Sequence, residues 1–264
     1  MNVIVLCGYG LNCEEETLFA FVRAGESLSC NVKGSIVHIN EIVSNPKLLK
    51  DYNVLVIPGG FSYGDDTGAG NAFALRLFNN LKEEIEEFLI KDKLVLGICN
   101  GCQILIRLIS NFSCVTLLNN SIKQYQCRWT KMKVNPSSNS VWLQKLDELY
   151  IPIAHGEGRF LIADNSTISS LENNIALRYI TNTGNYANQE YPYNPNGSVY
   201  DIAALSDDSG KVLIMMPHPE RAMFFTQQDN WTQIKEKCLR SNIDYPVYGD
   251  GMKIFCNAVQ YFCK

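Results

Sequence analysis

Histidine is scarce in this chain: three occur among 264 residues, at positions 38, 155 and 218. Any chemistry that needs an imidazole near neutral pH therefore has only three candidates. No apolar run approaches the length of a membrane span. Met1 to Leu6 is apolar, but Gly8 and Gly10 end it, so neither a transmembrane helix nor a secretory segment is expected. No basic run occurs and the formal net charge is −4, which argues against nucleic acid as the main partner. A Gly-Lys-Ser/Thr phosphate loop is missing, so the chain is not expected to use ATP by itself. A second Cys/His pair at zinc spacing is missing too. The ten cysteines are irregularly spaced in a chain too long to need a disulfide framework, and the reading is a reduced, cytoplasmic protein. In that compartment a triplet such as Asn165-Ser166-Thr167 carries no glycosylation message. No repeat, low-complexity tract or linker divides the sequence. One domain over residues 1–264 is expected, with 226–264 as a C-terminal helical extension.

What is present is a set of short apolar runs separated, in the first half, by helical patterns. Val3–Cys7, Ile36–Ile39, Val54–Ile57, Leu94–Ile98 and Val212–Met216 read as strands of a mainly parallel sheet with helices on both faces, an α/β fold. Asn12 is positioned to cap a first helix whose opening turn holds Glu14, Glu15 and Glu16. Glu83–Leu89 reads as an amphipathic helix, and Gly251–Phe262 as a final one. The stretch from Val115 to Ile180 mixes alternating runs with polar turns, the pattern of an added antiparallel section.

Three segments carry chemistry. Gly97-Ile98-Cys99-Asn100-Gly101 lies between the run Lys93–Leu96 and the helix-like stretch Cys102–Ile109. A strand turning sharply into a helix, with a thiol on the turn and a glycine two residues to either side, is the pattern of a nucleophile elbow. The same thiol could equally be a buried, inert cysteine. Met216-Pro217-His218-Pro219-Glu220-Arg221 follows another strand-like run. Pro219 biases His218 toward extended backbone, and in an extended segment positions two apart share a face, so Glu220 can orient the His218 imidazole. A proline-rich surface turn is the competing reading. Pro58-Gly59-Gly60-Phe61-Ser62-Tyr63-Gly64-Asp65-Asp66 follows a buried strand. Its two aspartates oppose phosphate binding, and the Gly60 N–H reads better as an oxyanion donor paired with the N–H of Asn100. His38 sits in an alternating strand and reads as a core or edge residue.

Together with Gly8-Tyr9-Gly10-Leu11-Asn12-Cys13 and Ala154-His155-Gly156-Glu157-Gly158, these motifs resemble the triad glutamine amidotransferases with a cysteine nucleophile. Among them the likeness is to the glutaminase component of phosphoribosylformylglycinamidine synthases. The resemblance implies a flavodoxin-like triad amidotransferase fold, with Cys99 as nucleophile, His218 as acid/base and Glu220 as its orienter. It further implies Gly60 and Asn100 as oxyanion donors, with Gln103, Gly156 and Glu157 holding glutamine and His155 in the glutamine pocket. No cofactor or metal is implied in this chain. ATP and Mg are expected on a partner synthetase subunit that acts on formylglycinamide ribonucleotide, with a small bridging subunit as a further component. One departure is visible. Stand-alone bacterial subunits usually continue the first motif with an aromatic, a leucine and an arginine, whereas Asp66-Thr67-Gly68-Ala69-Gly70 stands here. That segment and Tyr191–Ser198 look more like the glutaminase domain of large single-chain synthases, which leaves the partner open.

Other readings remain at this level. Cys99-Asn100-Gly101-Cys102 is also a C-x-x-C, a redox motif in some α/β proteins. A cysteine hydrolase of related fold acting on an ester, peptide or aldehyde would use the same elbow, and a non-catalytic regulatory subunit could keep the fold. The aromatics after Arg221, Phe224 and Phe225, either pack in the core or form a docking surface.

Overall fold

The computed structural model describes residues 1–162 and 171–263. The Asn165-Ser166-Thr167 triplet lies outside them. A nine-stranded sheet runs through the molecule in the order β2-β1-β3-β4-β11-β10-β9-β6-β7. Its first five strands are parallel: β1 (Asn2–Cys7), β2 (Lys33–His38), β3 (Val54–Ile57), β4 (Leu94–Ile98) and β11 (Val212–Met215). This is the 2-1-3-4-5 order of flavodoxin-like sheets, in which sites form beyond the carboxyl ends of the strands. All residues of β3, β4 and β11 are buried, as expected for strands covered on both faces. The antiparallel section is β6 (Gln126–Val134), β7 (Glu148–His155), β9 (Ile175–Tyr179) and β10 (Ile202–Ser206). β5 (Val115–Leu118) and β8 (Arg159–Ile162) pair as a separate ribbon. β10 is not anticipated by the sequence reading, because Ile-Ala-Ala-Leu-Ser has no alternation and is wholly buried.

The sheet curls at its antiparallel end. The carbonyl of Pro152 on β7 accepts from the His218 N–H beyond β11 at 2.8 Å, and the Ala154 carbonyl lies 3.6 Å from Cys99 Sγ. This curl brings the end of β7 to the carboxyl ends of β3, β4 and β11.

Helices α1 (Glu14–Ser27) and α6 (Asp250–Phe262) pack on each other through Phe21 and Phe255, whose rings meet edge-on at 5.0 Å. Burying such a side chain stabilises the fold by roughly 2–3 kcal/mol. On the other side α2 (Ile39–Ser44) and α3 (Asn71–Ile90) pack with α4 (Asn100–Leu105). The exposed helix α5 (Trp231–Arg240) precedes α6. The sequence reading found only the second half of α3. Leu81 departs from helical geometry (φ −137°), and Asn79-Asn80 before it weaken the pattern, so two helical stretches merge across a kink. Asn12 does not cap α1. Its N–H and that of Cys13 both donate to the Gly59 carbonyl (3.1 and 3.3 Å), tying this turn to the loop after β3 instead of to the helix. No helix among the described residues is long and apolar enough to cross a membrane.

Candidate active site

Three adjacent parallel strands deliver the predicted residues. β4 ends at Ile98, and Cys99 takes φ 51° and ψ −103°, a backbone conformation rare for a residue with a side chain. α4 starts at once at Asn100, two residues before the expected start, and runs only to Leu105 before continuing as a turn. Gly101 makes the turn possible, since a Cβ there would sit 1.8 Å from the Ile57 carbonyl oxygen of β3. Beyond β11, His218 and Glu220 are 1 % and 2 % exposed, and His218 Nδ1 meets Glu220 Oε1 at 2.5 Å. The carboxylate can only accept, so Nδ1 carries the proton, and Nε2 is buried.

Burial opposes charge on His218. The negative charges of Glu220 and Cys99 outweigh it, together with hydrogen bonding of the ring toward the Cys13 and Cys99 sulfurs, and hold the imidazole well above its ordinary pKa. His155 is the reverse case. It is fully buried, and desolvation with the nearby His218 lowers it to about 3, so it stays neutral. Asn120 fixes its tautomer. The Asn120 Nδ2 group donates to the His155 and Gln124 carbonyls, leaving Oδ1 to accept from His155 Nδ1 at 3.0 Å.

A cavity of about 330 Å³ opens on Cys99, within the range of small-molecule sites. Of the residues expected at the site, Gly60, Cys99, Gln103, His155, Gly156 and Glu157 line it. Asn100, His218 and Glu220 are buried and do not. Among the described residues neither the Gly60 nor the Asn100 N–H donates to a protein acceptor. A Cβ on Gly60 would fall 2.4 Å from the Gly10 carbonyl, so only glycine lets the loop approach this closely.

A family model described as a CobB/CobQ-like glutamine amidotransferase domain matches residues 1–262. The chain belongs to this glutamine amidotransferase family. The phosphoribosylformylglycinamidine synthase subunit PurQ of Methanococcus maripaludis (strain C7) is 42 % identical to it, over 100 % of this chain and 98 % of that protein. The subunit of the same name from Dehalococcoides mccartyi is 37 % identical, over 99 % and 97 %. Among solved structures, PurLQS from Thermotoga maritima contains a chain similar to this one, with a TM-score of 0.70, 28 % identity and 98 % coverage of each chain.

Several features of this amidotransferase escape the sequence reading. Cys13 is buried, and Arg221 Nη2 donates to its Sγ at 3.2 Å. Ligand atoms of Cys13, His218 and Glu220 all lie within 4.8 Å of one another. Arg221 also approaches Glu220 Oε1 to 3.7 Å, so a positive charge already faces two of those three groups. Its neighbours Ala222, Met223 and Phe225 are buried and Phe224 packs against the core, which resolves that segment as core. Cys102 is fully buried, and desolvation together with Cys99 pushes its thiol well up. That leaves it a poor redox partner for Cys99. Gln103 does not offer a free amide. It accepts from Asn100 Nδ2 (2.7 Å) and donates to the Glu157 carbonyl (2.6 Å). Asn100 Oδ1 accepts from Ser62 N–H (3.1 Å), and Glu157 Oε2 from Ala69 N–H (3.1 Å). These bonds tie the loop after β3, helix α4 and the β7–β8 turn into one cavity wall.

Proposed function

We propose that this chain is the glutaminase subunit of a phosphoribosylformylglycinamidine synthase, releasing ammonia from glutamine for purine synthesis. The observation that carries this reading is the convergence of Cys99, His218 and Glu220 at adjacent strand ends beside a small-molecule cavity, in a chain of the amidotransferase family. Cys99 Sγ attacks the side-chain carboxamide carbon of glutamine. An imidazolium beside a cysteine favours the thiolate, which supplies the electron pair for the new S–C bond. The carbonyl oxygen becomes an oxyanion and is met by the N–H groups of Gly60 and Asn100, each such donor being worth about 3–4 kcal/mol of barrier in other enzymes. His218 gives its proton to the departing nitrogen, the C–N bond breaks, and ammonia leaves a γ-glutamyl thioester. The same imidazole, now neutral at Nε2, takes a proton from water. The resulting hydroxide equivalent releases glutamate and returns the thiolate. Glu220 keeps Nδ1 protonated and the ring aimed throughout.

Gln103, Gly156 and Glu157 serve glutamine chiefly as the wall of the pocket. ATP and Mg belong to an ATP-using synthetase subunit, with a small bridging subunit completing a cytoplasmic complex. The PurLQS structure from Thermotoga maritima, which contains a similar chain, supports such partners. Mixing the chain with an ATP-using synthetase of this type, formylglycinamide ribonucleotide, Mg-ATP and glutamine tests the reading. Glutamate and amidine product should appear in equal amounts. Product formed from added ammonia, with glutamine left unconsumed, would overturn it.

A further inference from the structure

Cys13 is a buried thiol that the proposed chemistry leaves idle. It is 1 % exposed, and its sulfur, a His218 ring nitrogen and a Glu220 oxygen all lie within 4.8 Å of one another. The residue is fixed at every polar atom. Its N–H donates to the Gly59 carbonyl (3.3 Å), and its carbonyl accepts from the Thr17 N–H (3.2 Å) and Thr17 Oγ1 (2.5 Å) in the first turn of α1. The thiol donates to Asn12 Oδ1 (3.4 Å), and Arg221 Nη2 donates to Sγ (3.2 Å). The sulfur keeps a further lone pair as a weak acceptor.

This fixed sulfur bears on the imidazole. A Cβ on Gly59 would lie 2.8 Å from His218 Cε1, 3.4 Å from His218 Nδ1 and 3.1 Å from Cys13 Sγ. The Nδ1–Cε1 edge of the ring and the sulfur therefore share the space over Gly59, on the loop after β3. Glu220 holds the ring at Nδ1 alone, and a ring held at one atom can pivot about that bond. A second contact along the same edge removes the pivot and sets where Nε2 points. The groups facing His218 are Glu220, Cys99 on the elbow, Cys13 before α1, Arg221, His155 on β7 and Tyr125 before β6. Burial opposes charge on the ring, whereas the charges of Glu220 and Cys99 and hydrogen bonding toward the Cys13 sulfur support it.

We propose that Cys13 is a positioning residue: clamped between Asn12 and Arg221, its sulfur stops the His218 ring pivoting about the Glu220 bond and supports the imidazolium that protonates the departing nitrogen. The assignment rests on the glutaminase reading and deepens it, giving a role to a residue outside the triad and outside the cavity lining. A proton donor works only within hydrogen-bond reach of the atom it serves, so small rotations of the ring are costly.

The test compares Cys13→Ala and Cys13→Ser with wild type in the assembled synthetase complex. It reads kcat and KM for glutamine across pH, with synthesis from ammonium salts as the control for fold and assembly. Cys13→Ala should lower kcat by about 10- to 100-fold while KM changes by less than about threefold. Loss of the sulfur acceptor lowers the His218 pKa, so the imidazolium is lost earlier and the alkaline limb should fall by about half a pH unit. Synthesis from ammonia should stay near wild type. Cys13→Ser can still donate to Asn12 and accept from Arg221, and should lie between alanine and wild type in both kcat and alkaline limb. A wild-type kcat with an unmoved limb in Cys13→Ala overturns the proposal, as does a serine variant no better than alanine. A loss confined to KM overturns it too. Equal losses of glutamine- and ammonia-dependent synthesis overturn it and make Cys13 a structural residue. Absence of Cys99-dependent glutamine hydrolysis in wild type overturns the glutaminase reading itself, and the inference falls with it.

Discussion

Cys99→Ser is expected to lower glutamine-dependent synthesis by about 10⁴-fold or more, while synthesis from added ammonium salts by the assembled complex stays near wild type. The loss corresponds to about 5 kcal/mol of barrier. Its cause is local. Serine fits the turn at φ 51° as well as cysteine does, so the elbow should persist. What disappears is the sulfur nucleophile, which the less nucleophilic serine hydroxyl does not replace. Fold should be unaffected, because the side chain packs at the cavity and Gly101 keeps its approach to the Ile57 carbonyl. The two activities are read in parallel on one preparation. Equal retention of both would remove Cys99 from the chemistry, and equal loss of both would make its role structural.

The second large effect is expected at Glu220. Glu220→Gln keeps the shape of the side chain but removes the charge that most favours the protonated His218 ring. An amide at this position can also present N–H to Nδ1 and stabilise the wrong tautomer. In serine hydrolases the equivalent change costs about 10⁴-fold in turnover, and a loss of about 10³–10⁴-fold is expected here, with KM for glutamine changed little. The pH dependence should move with a definite sign. With Glu220 present, the folded-state pKa of His218 is raised, so the imidazolium persists as pH rises above the ordinary histidine range. In the variant the imidazolium should be lost at lower pH, and the residual activity should fall off earlier on the alkaline side. A loss below tenfold with an unmoved alkaline limb would contradict the orienting role.

The parallel half of this architecture was readable because its strands carry their burial in composition. Val54–Ile57 and Leu94–Ile98 match the observed strands to the residue. The elbow and the His218–Glu220 pair were readable because each is a local pattern, a thiol between glycines in one case and an i, i+2 pair after proline in the other. What stayed hidden is non-local. Nothing in the sequence shows that the antiparallel section curls until Pro152 accepts from His218. Cys13 and Arg221 are 208 positions apart and meet only through that folding. Gln103 illustrates the same limit. The family resemblance implied that it helps hold glutamine, and only the tertiary contacts reveal both ends of its amide committed to Asn100 and Glu157. Asn120 gave no signal at all, yet its amide decides the tautomer of His155.

If Cys99 is the nucleophile of a glutaminase, its cavity must admit glutamine. The most direct measurement is peptide mass after exposure of the chain, with and without an ATP-using synthetase partner, to a chloroketone analogue of glutamine. One adduct is expected, on the Cys99 peptide, suppressed by excess glutamine and absent from the other nine cysteines. Labelling spread over several cysteines, unprotected by glutamine even with the partner bound, would contradict it.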